Sequence, residues 1–324
     1  MSKRTAVLTA VAVLATALAT GCHEQEALKH AGLGYMLMDE QKTQEALREF
    51  EDAVRMDDSL AIAYGEIGNI YREQGKSDPQ KLTLAIGPYR RAIELLPYEF
   101  EYRYNLGTVY QSLDRNSEAA ETYEGAAELR PRSVPTRINM SVCYYHLKDY
   151  EKALSHCEKA VELDPNQPFA WSNLGAIYDV MGRSYDAIRA YKKALELDPS
   201  QQDVHINLGT LYWKQNRMND SIEALKRAVE LNPNSALAHK RLAFAYSSNG
   251  RHTVAIEELQ RCLELAPQDW QAMNALAAIY MIFFLKDSNQ HELRQNAVDM
   301  WHRSLEVNSD QPAIKQKIKE WGMM

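Results

Sequence analysis

Residues 171–199 read WSNLGAIYDVMGRSYDAIRAYKKALELDP, and the pattern of this stretch recurs along most of the chain. The proline at its end belongs to a series that advances by 34 residues, namely Pro131, Pro165, Pro199, Pro233 and Pro267. Gly107, Gly175 and Gly209 follow the same step. A fixed period of about 20–50 residues is typical of a solenoid, in which each structural repeat contacts only its neighbours. The sequence therefore predicts an array of short repeats.

Length and composition exclude several classes of protein. The chain has 324 residues, of which 45% are hydrophobic and 25% charged, so neither wholesale disorder nor a polytopic membrane protein is expected. The balance of 37 basic against 44 acidic residues gives a net charge of −7. This argues against a general nucleic-acid binder, because such a protein needs a basic surface to neutralise phosphates. Four cysteines are too few for a disulfide-dense scaffold of this size.

The quoted stretch also fits a known repeat pattern. The tetratricopeptide pattern W-x₂-L-G-x₂-Y, A-x₃-aromatic and a final proline is met by Trp171, Leu174, Gly175, Tyr178, Ala187, Tyr191 and Pro199. The chain thus resembles the tetratricopeptide repeat (TPR) family. The resemblance implies an all-α fold, a right-handed α-solenoid of about eight TPR helix pairs. The repeats are predicted at 27–60, 61–99, 100–133, 134–167, 168–201, 202–235, 236–269 and 270–311, followed by a C-terminal capping helix at 312–324.

Three positions of the repeat carry small side chains in all eight copies. Two helices of about 14 residues can cross closely only where their side chains are small, so these positions predict the contact between the two helices of a repeat. They are Gly34, Gly68, Gly107, Ser141, Gly175, Gly209, Ala243 and Ala277; Ala46, Ala85, Ala119, Ala153, Ala187, Ser221, Ala255 and Ala297; and Ala53, Ala92, Ala126, Ala160, Ala194, Ala228, Cys262 and Ser304. Extra residues near 76–80 and 285–292 are expected in the turns between the paired helices.

The N-terminus has the pattern of a secretory leader. Lys3 and Arg4 precede an apolar stretch from Ala6 to Leu18, which is too short for a permanent membrane span of about 20 residues. The sequence Ala-Thr-Gly-Cys at residues 19–22 resembles the lipobox of bacterial lipoproteins. The resemblance implies a signal peptide at 1–21, lipidation of Cys22, a tether at 22–26 with a reach of roughly 17 Å, and an outer-membrane location facing the periplasm. The alternative is an ordinary secreted protein in which Cys22 is incidental.

No catalytic motif is present in the sequence. It contains no glycine-rich phosphate loop, nucleophile elbow or zinc-protease helix motif, so we predict neither an enzyme nor a cofactor. Cys143, His146, His156 and Cys157 cluster within fifteen residues. The two histidines are expected at different angles on their helices, so no metal site is predicted. Two possibilities remain for the cysteines: a Cys143–Cys157 disulfide in an oxidising compartment, or two reduced buried thiols.

The TPR resemblance places a binding groove along the first helices of the repeats. The sixth position of those helices holds Asn105, Asn139, Asn173 and Asn207, whose amides could bind an extended backbone. Alternatively, asparagine there is only the commonest residue of the family. The large aromatic residues expected to face the groove, unless each covers a neighbouring repeat, are Tyr104, Tyr145, Trp213 and Phe244. Predicted polar contacts come from Gln111, Asp179, Lys214 and Arg241.

One ligand of the family is not predicted. Chaperone-binding TPR domains clamp a C-terminal carboxylate, and Asn207 and Arg241 match two positions of that clamp. Other positions hold Ser172, Ala176 and Leu237, which cannot complete it. The predicted function is a membrane-anchored scaffold that binds protein or peptide partners in its groove to organise cell-envelope complexes. The alternatives are a periplasmic carrier or chaperone that holds extended chains transiently, and a pilotin for secretin assembly in type IV pilus biogenesis. Neither nucleic acid nor a small-molecule substrate is expected.

Overall fold

The computed structural model describes residues 22–322, and every regular element in that range is an α-helix. The helices fall into two compact units, which meet in sequence between Pro165 and Asn166. The N-terminal unit contains α1 (Cys22–Asp39), α2 (Thr43–Met56), α3 (Ala61–Gln74), α4 (Pro79–Leu95), α5 (Phe100–Ser112), α6 (Asn116–Leu129), α7 (Val134–His146) and α8 (Tyr150–Leu163). The C-terminal unit contains α9 (Pro168–Val180), α10 (Ser184–Leu197), α11 (Gln202–Lys214), α12 (Met218–Leu231), α13 (Ala236–Ser248), α14 (His252–Leu265), α15 (Trp270–Lys286), α16 (His291–Val307) and α17 (Pro312–Trp321).

Helices that follow each other in sequence pack together as pairs. In the N-terminal unit α1 packs against α2 and α3 against α4, and the same pairing continues through α15 and α16 in the C-terminal unit. Within each unit, the second helix of a pair also packs against the first helix of the next. The predicted α-solenoid is confirmed. The predicted signal peptide, residues 1–21, lies outside the described residues. In the part of the chain that is described, no helix combines the length and the apolar character needed to cross a bilayer.

The small positions of the repeat lie where the paired helices meet, and all twenty-four are buried. A Cβ atom on Gly107 would lie 2.6 Å from the ring of Tyr123, and one on Gly175 would lie 2.5 Å from the ring of Tyr191. Glycine is needed at these two positions because a fully buried ring occupies the space of a side chain. In the fourth repeat the ring is replaced by Cys157, and the facing position holds the larger Ser141, which hydrogen-bonds to the thiol.

The tight turns between paired helices share one backbone feature. The second turn residue has a positive φ in six repeats, where it is Gln41, Asp114, Lys148, Gly182, Asn216 or Gly250. The left-handed conformation costs an L-residue about 1–2 kcal/mol, a penalty that glycine avoids.

We expect Lys148→Gly to raise the free energy of unfolding by up to about 1 kcal/mol, because Lys148 is exposed and has a φ of 63°. The matched change Gly182→Ala should lower it by about the same amount, since Gly182 has a φ of 74° and open space around its Cα. Thermal unfolding followed by circular dichroism measures both. Shifts of the two melting temperatures in the same direction would contradict the backbone explanation.

The two insertions mainly lengthen helices, which differs from the expectation that they lie in turns. The second helices α4 and α16 each have 17 residues, whereas the other second helices have 14. The first helix α15 also has 17 residues, compared with 13 in α5. The turns at 75–78 and 287–290 are only one residue longer than the usual three. The last helix, α17, covers the eighth repeat by burying Ile314 against a cluster that includes Trp301, while Lys315, Lys317 and Lys319 are exposed.

Candidate protein-binding surface

The first helices of successive repeats share a surface in each unit. Helix α5 contacts both α3 and α7 in the N-terminal unit. In the C-terminal unit α9 contacts α11, α11 contacts α13, and α13 contacts α15. Second helices of neighbouring repeats make no comparable contact among the described residues. The first helices are therefore closer together, and we call their shared surface the inner face of each unit. All twelve residues of the predicted groove lie on first helices.

The inner face of the N-terminal unit carries a polar network. Glu66 accepts hydrogen bonds from the Tyr35 hydroxyl at 3.4 Å and from Asn69 Nδ2 at 3.1 Å. Asn105, predicted to bind a partner, accepts from Arg72 Nη1 at 2.5 Å and donates to Asn69 Oδ1 at 3.2 Å. Each of these bonds except the one within α3 joins neighbouring first helices. The amide of Asn105 therefore links two repeats of the protein itself.

Burial is the largest influence on the Glu66 carboxyl and raises its pKa above the usual value, although the bonds from Asn69 and Tyr35 act in the opposite direction. A carboxyl whose pKa is raised by folding stabilises the folded state fully below its unfolded pKa, and this stabilisation is lost as the pH rises through the folded value.

We therefore expect Glu66→Gln to raise the melting temperature relative to the wild type at pH 7, and this advantage to shrink towards pH 4. Melting of both proteins across that range measures the difference. An advantage that grows as the pH falls would contradict the assignment, as would a variant that is less stable at every pH.

Asn139 and its aromatic neighbours form a second internal network. Asn139 Nδ2 donates to the hydroxyls of Tyr104 at 3.3 Å and Tyr123 at 3.1 Å. Tyr123 in turn donates to Gln111 Oε1 at 3.0 Å. The ring of Tyr104 stacks on Phe100 with centroids 5.5 Å apart, and Tyr145 packs edgewise on Tyr150 at 5.8 Å. Four predicted groove residues, Tyr104, Gln111, Asn139 and Tyr145, thus contact other side chains of their own unit.

The other two asparagines are placed differently, in the C-terminal unit. Asn207 is exposed and Asn173 is half-buried, and neither side chain hydrogen-bonds to a described residue. Asp179 and Lys214 pair with each other across neighbouring first helices at 3.1 Å, with half of the Lys214 side chain exposed. An exposed ion pair contributes little to stability. The predicted row of four equivalent amides therefore divides into two that are bonded within the protein and two that are available.

The remaining predicted residues cluster on α11 and α13. Trp213 is 37% exposed, and its Nε1 donates to Ser248 Oγ at 2.8 Å. Phe244 is half-buried and packs against the hydrophobic core of the unit. Arg241, Trp213 and Phe244 line the same small gap on the inner face. These three residues place one cation beside two aromatic rings.

One recurring contact has no counterpart in the sequence prediction. The fourth position of several first helices reaches back to the carbonyl of the proline in the preceding turn between repeats, over 3.0–3.4 Å. The residues at this position that make the contact are Arg103, Arg137, His205 and His239. The sequence signal for this contact is a side chain with an N–H donor six residues after a proline. The contact joins the first helix of a repeat to the turn that precedes it.

A wider depression of about 470 Å³ lies away from the inner face, beside α10, α11 and α12. Its lining carries both signs of charge, with Lys192, Lys226 and Arg227 near Glu223 and Glu230. Arg227 is already paired with Glu230 at 2.9 Å. The mixture of charges points to no particular ligand, and the sequence prediction did not include this surface.

The cysteine and histidine cluster forms neither a disulfide nor a metal site in the described residues. Cys143 and Cys157 are both buried and no disulfide joins them, so the disulfide alternative is wrong for this structure. Burial raises the pKa of Cys143 to about 11 and that of Cys157 to about 12, which makes both thiols poor nucleophiles at neutral pH. His156 stacks on the ring of Tyr144 at 5.5 Å. No group of three possible ligands converges in the described part of the chain.

Comparison with known proteins agrees with this architecture. The family model described as the cilia and flagella-associated protein 70 C-terminal domain matches residues 3–274. No curated protein matches the chain. A solved structure of YrrB, a TPR protein with an unusual peptide-binding site, is 24% identical, covers 62% of this chain and 99% of its own, and has a TM-score of 0.51.

Two further structures are similar in fold. A chain of the APC/C hetero-tetramer Cut9–Hcn1 is 18% identical, with a TM-score of 0.62 over 88% of this chain and 55% of its own. Pseudomonas aeruginosa pilF is 22% identical, with a TM-score of 0.56 over 66% of this chain and 98% of its own. At these low sequence identities the similarity shows a shared fold alone.

Proposed function

Because the chain belongs to the tetratricopeptide repeat family represented by the cilia and flagella-associated protein 70 C-terminal domain, we propose that it is a scaffold that binds protein or peptide partners on its inner face. The observation that carries this proposal is the group of available side chains in the C-terminal unit. Asn207 offers an exposed amide, Trp213 a partly exposed ring and Arg241 a half-buried cation. Amides can hold the donors and acceptors of an extended peptide, while tryptophan and arginine are enriched among residues that dominate binding energy.

The test is chemical crosslinking of the tagged protein in its native envelope, followed by mass spectrometry. A variant combining Asn173→Ala, Asn207→Ala and Trp213→Ala removes available inner-face groups of the C-terminal unit. Asn139 is left in place because its hydrogen bonds to two tyrosines make it part of the folded structure. Tyr185→Ala is the matched control, since Tyr185 lies on the second helix α10 and is 87% exposed. Far-ultraviolet circular dichroism checks that all three proteins are folded.

We expect a short list of near-stoichiometric partners that the triple variant loses and the control retains. A folded triple variant that keeps every partner would contradict binding on this face. A long, substoichiometric list would contradict a dedicated scaffold and favour a carrier of extended chains. A secretin as the main partner would identify the narrower role of a pilotin.

The second part of the proposal is a lipid anchor at Cys22 on the periplasmic side of a bacterial outer membrane. It is supported by Lys3 and Arg4, the apolar run Ala6–Leu18 and the Ala-Thr-Gly-Cys junction in the sequence. Helix α1 begins at Cys22, so the residues 22–26 are helical and span about 8 Å, less than an extended tether. The anchored solenoid would therefore lie close to the membrane.

We expect Cys22→Ser to abolish labelling by an alkyne-tagged fatty acid and to move the protein from the membrane fraction to the soluble one. The wild type and Cys262→Ser, which changes a buried thiol away from the N-terminus, serve as controls. A Cys22→Ser variant that remains labelled and membrane-bound would contradict the anchor. A soluble, unlabelled wild type would favour the alternative of an ordinary secreted protein.

A further inference from the structure

The C-terminal unit contains an apolar cavity on its inner face. It has a volume of about 210 Å³ and is lined chiefly by Trp213, Phe244, Ala275, Ala278, Ile279 and Ile282, with Ser247 and Ser248 at a polar edge. Sites for small molecules usually have about 300–1,000 Å³, so this cavity matches a single large side chain better than a free ligand.

Two features of the repeats create the cavity. The sixth and ninth positions of the first helix are Asn207 and Thr210 in α11 but Ala275 and Ala278 in α15. The smaller side chains on α15 leave space on the inner face of the last repeat. The bond from Trp213 Nε1 to Ser248 Oγ then holds the indole ring against the next repeat as a fixed wall. Because the walls exist before binding, little entropy is lost in forming the site.

A positive charge lies beside this apolar space. Arg241, Trp213 and Phe244 line one small gap, and the rings of Trp213 and Phe244 also line the cavity. Arg241 forms no ion pair with any described acid, whereas its neighbour Lys240 is paired with Asp269 and Lys214 is paired with Asp179. The charge at the edge of the cavity is thus complementary to a carboxylate on whatever occupies it.

We propose that this cavity binds an internal peptide segment of the partner, in which one large apolar side chain fills the cavity and a nearby aspartate or glutamate contacts Arg241. This inference rests on the proposed function and specifies the partner's chemistry at that surface. Burial of a leucine, methionine or phenylalanine side chain supplies most of the affinity. The carboxylate fixes orientation and makes binding sensitive to salt.

The test selects binders from a phage-displayed library of random twelve-residue peptides on the full chain without residues 1–21. The enriched peptides are then synthesised with fluorescein and blocked ends, so that no terminal carboxylate is present, and their affinity is measured by fluorescence anisotropy. Ala278→Phe fills the cavity and Arg241→Gln removes the charge. Lys226→Gln is the matched control for charge, because Lys226 lies on α12 away from the inner face.

We expect enrichment of a large apolar residue within three positions of an acid. Ala278→Phe should weaken binding about tenfold or more, and Arg241→Gln about three- to tenfold with a smaller salt dependence, while Lys226→Gln has no effect. Replacing the apolar residue of the peptide by alanine should weaken its binding to the wild type about as much as Ala278→Phe does. A library without this enrichment, or enriched peptides unaffected by either variant, would overturn the inference. The proposed function is decided separately, by whether crosslinked partners depend on the inner face.

Discussion

Tyr123→Ala is expected to lower the free energy of unfolding of the N-terminal unit by about 3–5 kcal/mol, the range for truncating a fully buried aromatic side chain. The ring is 0% exposed and lies directly over Gly107, so its removal leaves a void between the paired helices α5 and α6. The hydroxyl also bonds to Gln111 and Asn139, whose partners disappear with it. Urea-induced unfolding followed by circular dichroism measures the loss.

The control for this prediction is Tyr98→Ala. Tyr98 is 86% exposed, so its truncation should change the free energy of unfolding by less than about 0.5 kcal/mol. Tyr123→Phe should cost about 1–2 kcal/mol, because the ring is kept while the hydroxyl is lost. A Tyr123→Ala protein no less stable than Tyr123→Phe would contradict the packing role of the ring.

Lys240→Met is expected to destabilise the C-terminal unit by about 2–3 kcal/mol. Lys240 Nζ lies 2.6 Å from Asp269 Oδ2 and donates to Gln271 Oε1 at 3.0 Å, with only 11% of the lysine side chain and 17% of the aspartate side chain exposed. Removal of one partner leaves the other charge largely buried without compensation, which costs about 3–5 kcal/mol when burial is complete. The partial exposure of both groups reduces the expected loss.

A second substitution separates the charge from the packing. Asp269→Asn in the Lys240→Met background removes the uncompensated charge, while the remaining amide oxygen can still cap α15, as Asp269 Oδ1 does by accepting from Ala272 N at 2.9 Å. We expect the double variant to recover most of the lost stability in the same urea measurement. Lys214→Met breaks an exposed pair and should cost less than about 1 kcal/mol. Equal losses for Lys240→Met and Lys214→Met would contradict the importance of burial.

Part of the candidate site could be predicted from the sequence because the repeat fixes which positions share a face. The twelve groove residues all lie on first helices for this reason. The same periodicity treats Asn105 and Asn207 as equivalent, yet Asn105 is bonded to Arg72 and Asn69 while Asn207 is exposed. The difference comes from the preceding first helix, where Arg72 can reach Asn105 across 33 residues. The repeat shows that the two asparagines occupy equivalent positions, but it does not show which side chain of the preceding first helix reaches each of them.

The fold class and the small contact positions therefore followed from sequence, because a solenoid is built from contacts between segments adjacent in the chain and a 34-residue period repeats their chemistry. Tertiary structure decided which polar groups were already hydrogen-bonded or ion-paired within the protein. It showed that Asn139 supports Tyr104 and Tyr123, and that Arg241 has no acidic partner among the described residues although Lys240 has one. It also showed the cavity in front of Ala278, which depends on side chains from three successive repeats. Hydrogen bonds and cavities depend on distances between particular atoms, and the period of the sequence does not contain those distances.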